Sequence, residues 1–148
     1  MKPVLAHPSW GQIDKACALL AHQVIKNPNG APQVIVGLAR GGLVPAVILS
    51  HILDVKVFPV SYSSKKGEGE YKQYENTLPL IPFKTILLVD DIIDSGFTMK
   101  EVYDHYYAQG HNVDIACLYW KEGAAIDPEY YWQDIPRDSS WIIFPWEI

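Results

Sequence analysis

Three short apolar runs limit this chain more than any other feature: Val34-Ile35-Val36-Gly37-Leu38, Thr85-Ile86-Leu87-Leu88-Val89, and residues 113–119. Each is nearly continuous, of strand length, and rich in aliphatic and β-branched residues, the pattern of strands buried on both faces. Between them the period changes. Ser9 followed by Gln12 offers a capping box, and Ile13, Ala16, Cys17, Leu20 and Val24 then recur at helical spacing, which predicts a helix over about residues 10–26. Residues 43–53 are again helix-like, and residues 55–62 read as a further strand. Met99, Val102, Tyr103 and Tyr106 mark another helix face, which Gly110 brings to an end. Strands that alternate with helices require crossover connections. The expected class is α/β, a mostly parallel sheet flanked by helices.

A length of 148 residues with 49% hydrophobic content suits one domain with one core. The core is expected over about residues 1–120. Residues 121–148 show no long period and carry Pro128, Pro136, Pro145, Trp132, Trp141 and Trp146, so they read as a small C-terminal hood. Residues 63–73 lose both periodicity and apolar content, which predicts a mobile surface loop. A net charge of -5 argues against nucleic acid as a partner. Cys17 and Cys117 fall on a helix face and in a buried strand, which predicts packed free thiols and a reducing, cytoplasmic setting. No apolar stretch approaches the roughly 20 residues that span a bilayer, so membrane insertion is not expected.

In open parallel sheets ligands bind beyond the carboxyl ends of strands, and Asp90 and Asp91 come directly after one apolar run. Ser95, Gly96 and Thr98 follow just before a predicted helix N-terminus, whose free N–H groups and dipole favour an anion such as phosphate. Carboxylates for hydroxyls and a hard divalent metal, set close to phosphate donors, suit a sugar phosphate bound with Mg²⁺. By itself an Asp-Asp pair would more ordinarily occupy a solvated turn, with Asp94 and Ser95 capping the helix. Ala39-Arg40-Gly41-Gly42 follows another strand in the same manner. Its glycines permit close approach of backbone to an anion, and Arg40 adds positive charge. Taken alone, Gly41-Gly42 would serve equally well as a tight strand-to-helix turn.

The whole string Val89-Asp90-Asp91-Ile92-Ile93-Asp94-Ser95-Gly96-Phe97-Thr98 resembles the 5-phosphoribosyl 1-pyrophosphate motif of type I phosphoribosyltransferases, in the form found among hypoxanthine-guanine and xanthine-guanine enzymes. Leu38-Ala39-Arg40-Gly41-Gly42-Leu43-Val44-Pro45 is similar to that family's pyrophosphate-binding loop. The end of the chain, from Asp134-Ile135-Pro136-Arg137-Asp138 to Trp141-Ile142-Ile143-Phe144-Pro145-Trp146-Glu147, is similar to the tail of bacterial xanthine-guanine phosphoribosyltransferases. Together these segments extend over about residues 34–147 and imply the type I phosphoribosyltransferase fold.

The resemblance implies a purine salvage enzyme. Such an enzyme transfers 5-phosphoribosyl from 5-phosphoribosyl 1-pyrophosphate to guanine, xanthine or hypoxanthine, releasing pyrophosphate and a nucleoside 5′-monophosphate. It assigns pyrophosphate to Ala39, Arg40, Gly41 and Gly42, and the ribose to Asp90 and Asp91. The 5′-phosphate goes to Ser95, Gly96, Phe97 and Thr98. Ser61 and Tyr62 open a loop that closes over the reacting centre, to which Lys65 and Lys66 could add charge and Gly67 and Gly69 freedom to fold. Asp94 becomes the catalytic group facing purine N7, with Lys121 on the 6-oxo group and Trp141 and Ile142 against the ring. Asp90, Asp91 and Glu147 become the Mg²⁺ ligands, and the family's habit implies a homodimer or homotetramer. Two residues depart from the pattern: Phe97 stands where relatives often have Gly or Lys, and Glu147 where Asp is common. A phosphoribosyl-pyrophosphate-binding regulator, or a transferase for another base, would be the alternative. The presence of Asp94, Lys121 and Trp141 together favours the 6-oxopurine enzyme.

Overall fold

A computed structural model describes residues 4–63 and 77–147. The Ser9 hydroxyl accepts from the Gln12 N–H at 3.1 Å and the Gln12 side chain accepts from the Ser9 N–H at 2.8 Å. This closes the capping box that starts α1 (Trp10–Lys26). The three apolar runs become β2 (Val34–Leu38), β4 (Thr85–Ile93) and β5 (Asn112–Lys121). With β3 (Lys56–Val60) and β6 (Tyr130–Ile135) they form a five-stranded sheet in the order β3-β2-β4-β5-β6, with every neighbouring pair parallel. The remaining elements among the described residues are β1 (Val4–Ala6), α2 (Leu43–Leu53), α3 (Phe97–Ala108) and β7 (Trp141–Ile142).

Alternation along the strands divides the core between the two faces. Ile35, Leu87, Val89, Ala116 and Leu118 pack with Ile13 and Leu20 of α1 and Leu49 of α2. Val34, Val36, Ile86, Leu88, Ile115 and Cys117 pack instead with Met99, Val102 and Tyr106 of α3. Among the described residues only one helix covers that second face. Ile81 and the partly buried Leu78 and Phe83, on the chain leading into β4, add to the cover. The Tyr106 hydroxyl ties this segment down by donating to the Pro79 carbonyl at 2.9 Å. Each fully buried aliphatic side chain contributes about 1.5–3 kcal/mol of transfer free energy, which makes these two layers the main source of stability. The expected parallel sheet flanked by helices is therefore the architecture found.

Two segments differ from the sequence reading. The acidic stretch expected as a turn after β4 is a continuation of that strand. Pairing with β2 stops at Gly37 opposite Val89, but pairing with β5 continues from Asp90 opposite Cys117 to Ile93 opposite Trp120. β5 is long enough to hold it, running on to Lys121. Residues 121–148, expected as an irregular hood, split into two parts. Tyr130–Ile135 joins the main sheet as its edge strand, in register from Ala116 opposite Tyr130 to Lys121 opposite Ile135. The rest lies outside that sheet, where β7 pairs in parallel with β1 and Phe144 stacks on Trp146 at 4.7 Å. Cys17 and Cys117 are buried free thiols, as expected, and burial pushes the Cys17 thiol up to about 12. The predicted loop with Lys65, Lys66, Gly67 and Gly69 lies outside the described residues. Ser61 and Thr77, on either side of it, meet in an antiparallel bridge, with the Ser61 N–H donating to the Thr77 carbonyl at 3.2 Å.

Candidate active site

The connection from β2 leads to β3 on one side of the sheet, whereas β4 leads on to β5 and β6 on the other. The two connections diverge at the carboxyl ends of β2 and β4 and leave a crevice between them, the usual ligand site of an open parallel sheet. Ala39-Arg40-Gly41-Gly42 forms one lip, with a cis peptide bond between Ala39 and Arg40. Asp90 and Asp91 form the other. The two glycines are needed for this approach and do more than shape a turn. A Cβ on Gly41 would overlap the Asp91 carboxylate, and one on Gly42 would lie 2.6 Å from the Leu38 carbonyl oxygen and 2.7 Å from that of Val89. Arg40, Gly41, Val44, Asp91, Trp146 and Glu147 line a cavity of about 560 Å³ at this lip.

The acidic pair is held by backbone. The Asp91 N–H donates to Asp90 Oδ1 at 2.8 Å, and the Ile92 N–H donates to Asp91 Oδ1 at 2.7 Å. Burial raises the carboxyl of Asp90 well above the usual range, and the neighbouring Asp91 charge raises it further. Burial also raises Asp91, against the lowering effect of its hydrogen bonds. Two desolvated carboxylates side by side favour a proton or a cation between them. Among the described residues no group of three or more His, Cys, Asp or Glu is gathered closely enough to hold a metal by itself.

A smaller cavity of about 130 Å³ adjoins the first, with Glu147 lining both. Its walls include Asp94, Lys121, Ser139, Trp141, Ile142 and Phe144. Sheet register produces this grouping. Ile93 sits opposite Trp120, so Asp94, just past the end of β4, and Lys121, the last residue of β5, lie side by side, and Lys121 Nζ lies 3.2 Å from Asp94 Oδ1. Lys121 is 8% exposed, so its ammonium is held against the cavity and does not range through solvent. Trp141 is 58% exposed and can present an indole face to a planar ligand, while Ile142, in the same cavity wall, is buried.

At the amino end of α3, Gly96 takes a left-handed backbone with φ of 81°, and as the capping residue it brings no side chain to the helix end. The Ala125 N–H donates to the Ser95 carbonyl at 2.8 Å, and a Cβ on Gly96 would lie 2.8 Å from the Ala125 nitrogen. Glycine therefore lets the 122–126 segment buttress this turn. Phe97 is 60% exposed and lines a surface hollow with Lys100, Glu101, Asp104 and Ala125. Ser61 and Tyr62 line neither cavity. A hydrogen bond to Glu101 of α3, together with burial, raises the Tyr62 hydroxyl and keeps it protonated.

The model of the phosphoribosyl transferase domain family matches residues 9–148. The chain belongs to that family. Among phosphoribosyl transferase proteins it is 34% identical to the xanthine-guanine phosphoribosyltransferase of Cereibacter sphaeroides, over 96% of this chain and 86% of that one. Its structure is similar to a purine phosphoribosyltransferase from Pyrococcus horikoshii, with a TM-score of 0.79, 34% identity, and coverage of 100% of this chain and 96% of that chain. It is also similar to the xanthine-guanine-hypoxanthine phosphoribosyltransferase of Helicobacter pylori, with a TM-score of 0.78, 28% identity, and coverage of 97% and 93%. Within this phosphoribosyl transferase fold one charged group escapes the sequence reading. Arg137 follows β6, and its Nη2 donates to Asp94 Oδ1 at 2.6 Å. The signal for it is an arginine directly after a strand end, concealed because β6 carries no regular apolar pattern.

Proposed function

We propose that this chain transfers 5-phosphoribosyl from 5-phosphoribosyl 1-pyrophosphate to a 6-oxopurine, releasing pyrophosphate and a nucleoside 5′-monophosphate. One observation carries this reading. A cavity walled by Asp94, Lys121 and Trp141 adjoins, through Glu147, a larger cavity walled by Arg40, Gly41 and Asp91. The first offers an acceptor, a cation and an aromatic face, the complement of a planar base with an imidazole edge and an oxo group. The second offers a guanidinium and close backbone, the complement of a diphosphate.

In the reaction the base attacks C1′ of the sugar as pyrophosphate departs, so positive charge builds on the ribose while negative charge builds on the leaving group. The protein's task is to position the two partners and stabilise those charges. Asp94 accepts a proton or a hydrogen bond at purine N7, Lys121 donates to the 6-oxo group, and Trp141 with Ile142 fixes the ring plane. Asp90 and Asp91 hold the ribose hydroxyls. The turn of Ser95, Gly96, Phe97 and Thr98 holds the 5′-phosphate largely through backbone N–H groups. Arg40 and the backbone from Ala39 to Gly42 stabilise departing pyrophosphate. Ser61 and Tyr62, directly after β3, are assigned to 5-phosphoribosyl 1-pyrophosphate on the family pattern.

Mg²⁺ fits the donor set. Asp90 and Asp91 supply hard oxygen ligands whose raised proton affinity a cation relieves, whereas Glu147, in the wall of the same cavity as Asp91, is not gathered with the pair into a three-carboxylate site. When bound, Mg²⁺ neutralises charge on the diphosphate. Membership of the family supports assembly as a homodimer or homotetramer. No described helix is long and apolar enough to cross a membrane, which suits a cytoplasmic enzyme. The deciding experiment measures pyrophosphate release with guanine, xanthine, hypoxanthine, adenine and uracil in the presence of Mg²⁺. Turnover confined to the three 6-oxopurines is expected. Turnover with adenine or uracil alone would assign another base, and 5-phosphoribosyl 1-pyrophosphate binding without turnover would make the chain a sensor.

A further inference from the structure

The carboxyl ends of β4, β5 and β6, three successive neighbours in the sheet, each deliver one charged group: Asp94, Lys121 and Arg137. Both cations meet the same oxygen, Asp94 Oδ1, with Lys121 Nζ at 3.2 Å and Arg137 Nη2 at 2.6 Å. Neither contact involves Oδ2. The two cations differ in placement. Lys121 is buried, lines the smaller cavity and makes the longer contact. Arg137 is half-exposed, does not line that cavity and makes the shorter contact. Its turn is fixed locally, since the Ser139 N–H and hydroxyl both donate to the Pro136 carbonyl.

A 6-oxopurine in this cavity presents Lys121 with a new acceptor, and an ammonium turned toward an oxo group weakens its hold on Asp94. We infer that Arg137 is a positioning residue that keeps Asp94 Oδ1 anchored during this change of partner, leaving Oδ2 directed at the imidazole edge of the base. The inference rests on the assignment of Asp94 to the purine. Guanidinium suits the task because it is permanently charged, planar and preorganised, and it is placed where the substrate does not compete for it. Without Arg137, the exposed Asp94 side chain would lose its anchor in the step in which the base becomes nucleophilic.

The test uses the full chain and its Arg137→Gln, Arg137→Lys and Asp94→Asn variants, together with the Arg137→Gln/Asp94→Asn double variant. Initial rates with hypoxanthine and 5-phosphoribosyl 1-pyrophosphate are measured alongside thermal midpoints. Arg137→Gln should lower kcat on the order of tenfold, the scale of one charge-assisted hydrogen bond. Its KM for 5-phosphoribosyl 1-pyrophosphate should stay within about twofold, because that substrate does not contact the anchor. Arg137→Lys should recover most of the lost rate, thermal midpoints should not move, and Arg137→Gln should add nothing once Asp94 is Asn. An unchanged kcat in Arg137→Gln, or the same loss with and without Asp94, overturns the inference while leaving the proposed function intact. If the unaltered chain turns over no purine, both fall together.

Discussion

At the scale of single residues, Lys121 shows how position converts a common side chain into a specific one. It is buried at the end of β5 with its ammonium beside Asp94, so in the proposed reaction its removal would deprive the oxo group of a partner and leave Asp94 with Arg137 alone. Lys121→Ala should cost about 1.5–3 kcal/mol in kcat/KM for 6-oxopurines. Equal rates for Lys121→Ala and the unaltered chain on hypoxanthine would discredit the contact. Lys121 is legible in the sequence because it ends an apolar strand and a tail of recognisable pattern follows it. Arg137 is not, since nothing in Pro136-Arg137-Asp138 announces that the side chain reaches past the end of β5 to Asp94. Phe97 and Glu147, the two departures from the pattern, keep their places: one turns its ring to solvent and the other lines both cavities.

At the scale of elements, legibility follows burial. β2, the first half of β4, and β5 are central and apolar, and their pattern suffices to place them. Among the described residues β6 has one neighbouring strand and a mixed pattern of burial, with Tyr130 and Ile135 buried and Gln133 and Asp134 exposed, so continuous hydrophobicity cannot reveal it. The extension of β4 through Asp90 and Asp91 is hidden for another reason: a partner strand far along the chain, and no local propensity, keeps those carboxylates extended. The turn into α2 is visible as Gly41-Gly42, but its necessity is not. A methyl group on Gly42 would press on two backbone carbonyls and the Asp90 Cα, none of which can give way cheaply. Gly42→Ala should therefore destabilise the chain by about 1–3 kcal/mol, read as a lower midpoint in urea. A midpoint equal to that of the parent would show that the strand ends can separate.

At the scale of the whole molecule, the protein buries acids that ionise at high pH. Burial pushes Cys17 from 9.0 and Tyr106 from 10.0 up to about 12. The unfolded chain then loses these protons first, so their contribution to stability is complete below about pH 9 and is lost as pH rises toward 12. Urea midpoints should fall over that window, and Cys17→Ala should make the fall shallower. An identical slope in the variant would mean that the thiol does not take part. The line of Asp94, Lys121 and Arg137 has a consequence of another kind. Neighbouring strands lie about 4.8 Å apart, and a slip that preserves the inward face must be two residues, or about 6.6 Å. The separations among these three charges are thus quantised by the ladder, too coarsely for strand movement to adjust them. Any fine adjustment of these separations falls to the length and chemistry of the side chains at the strand ends.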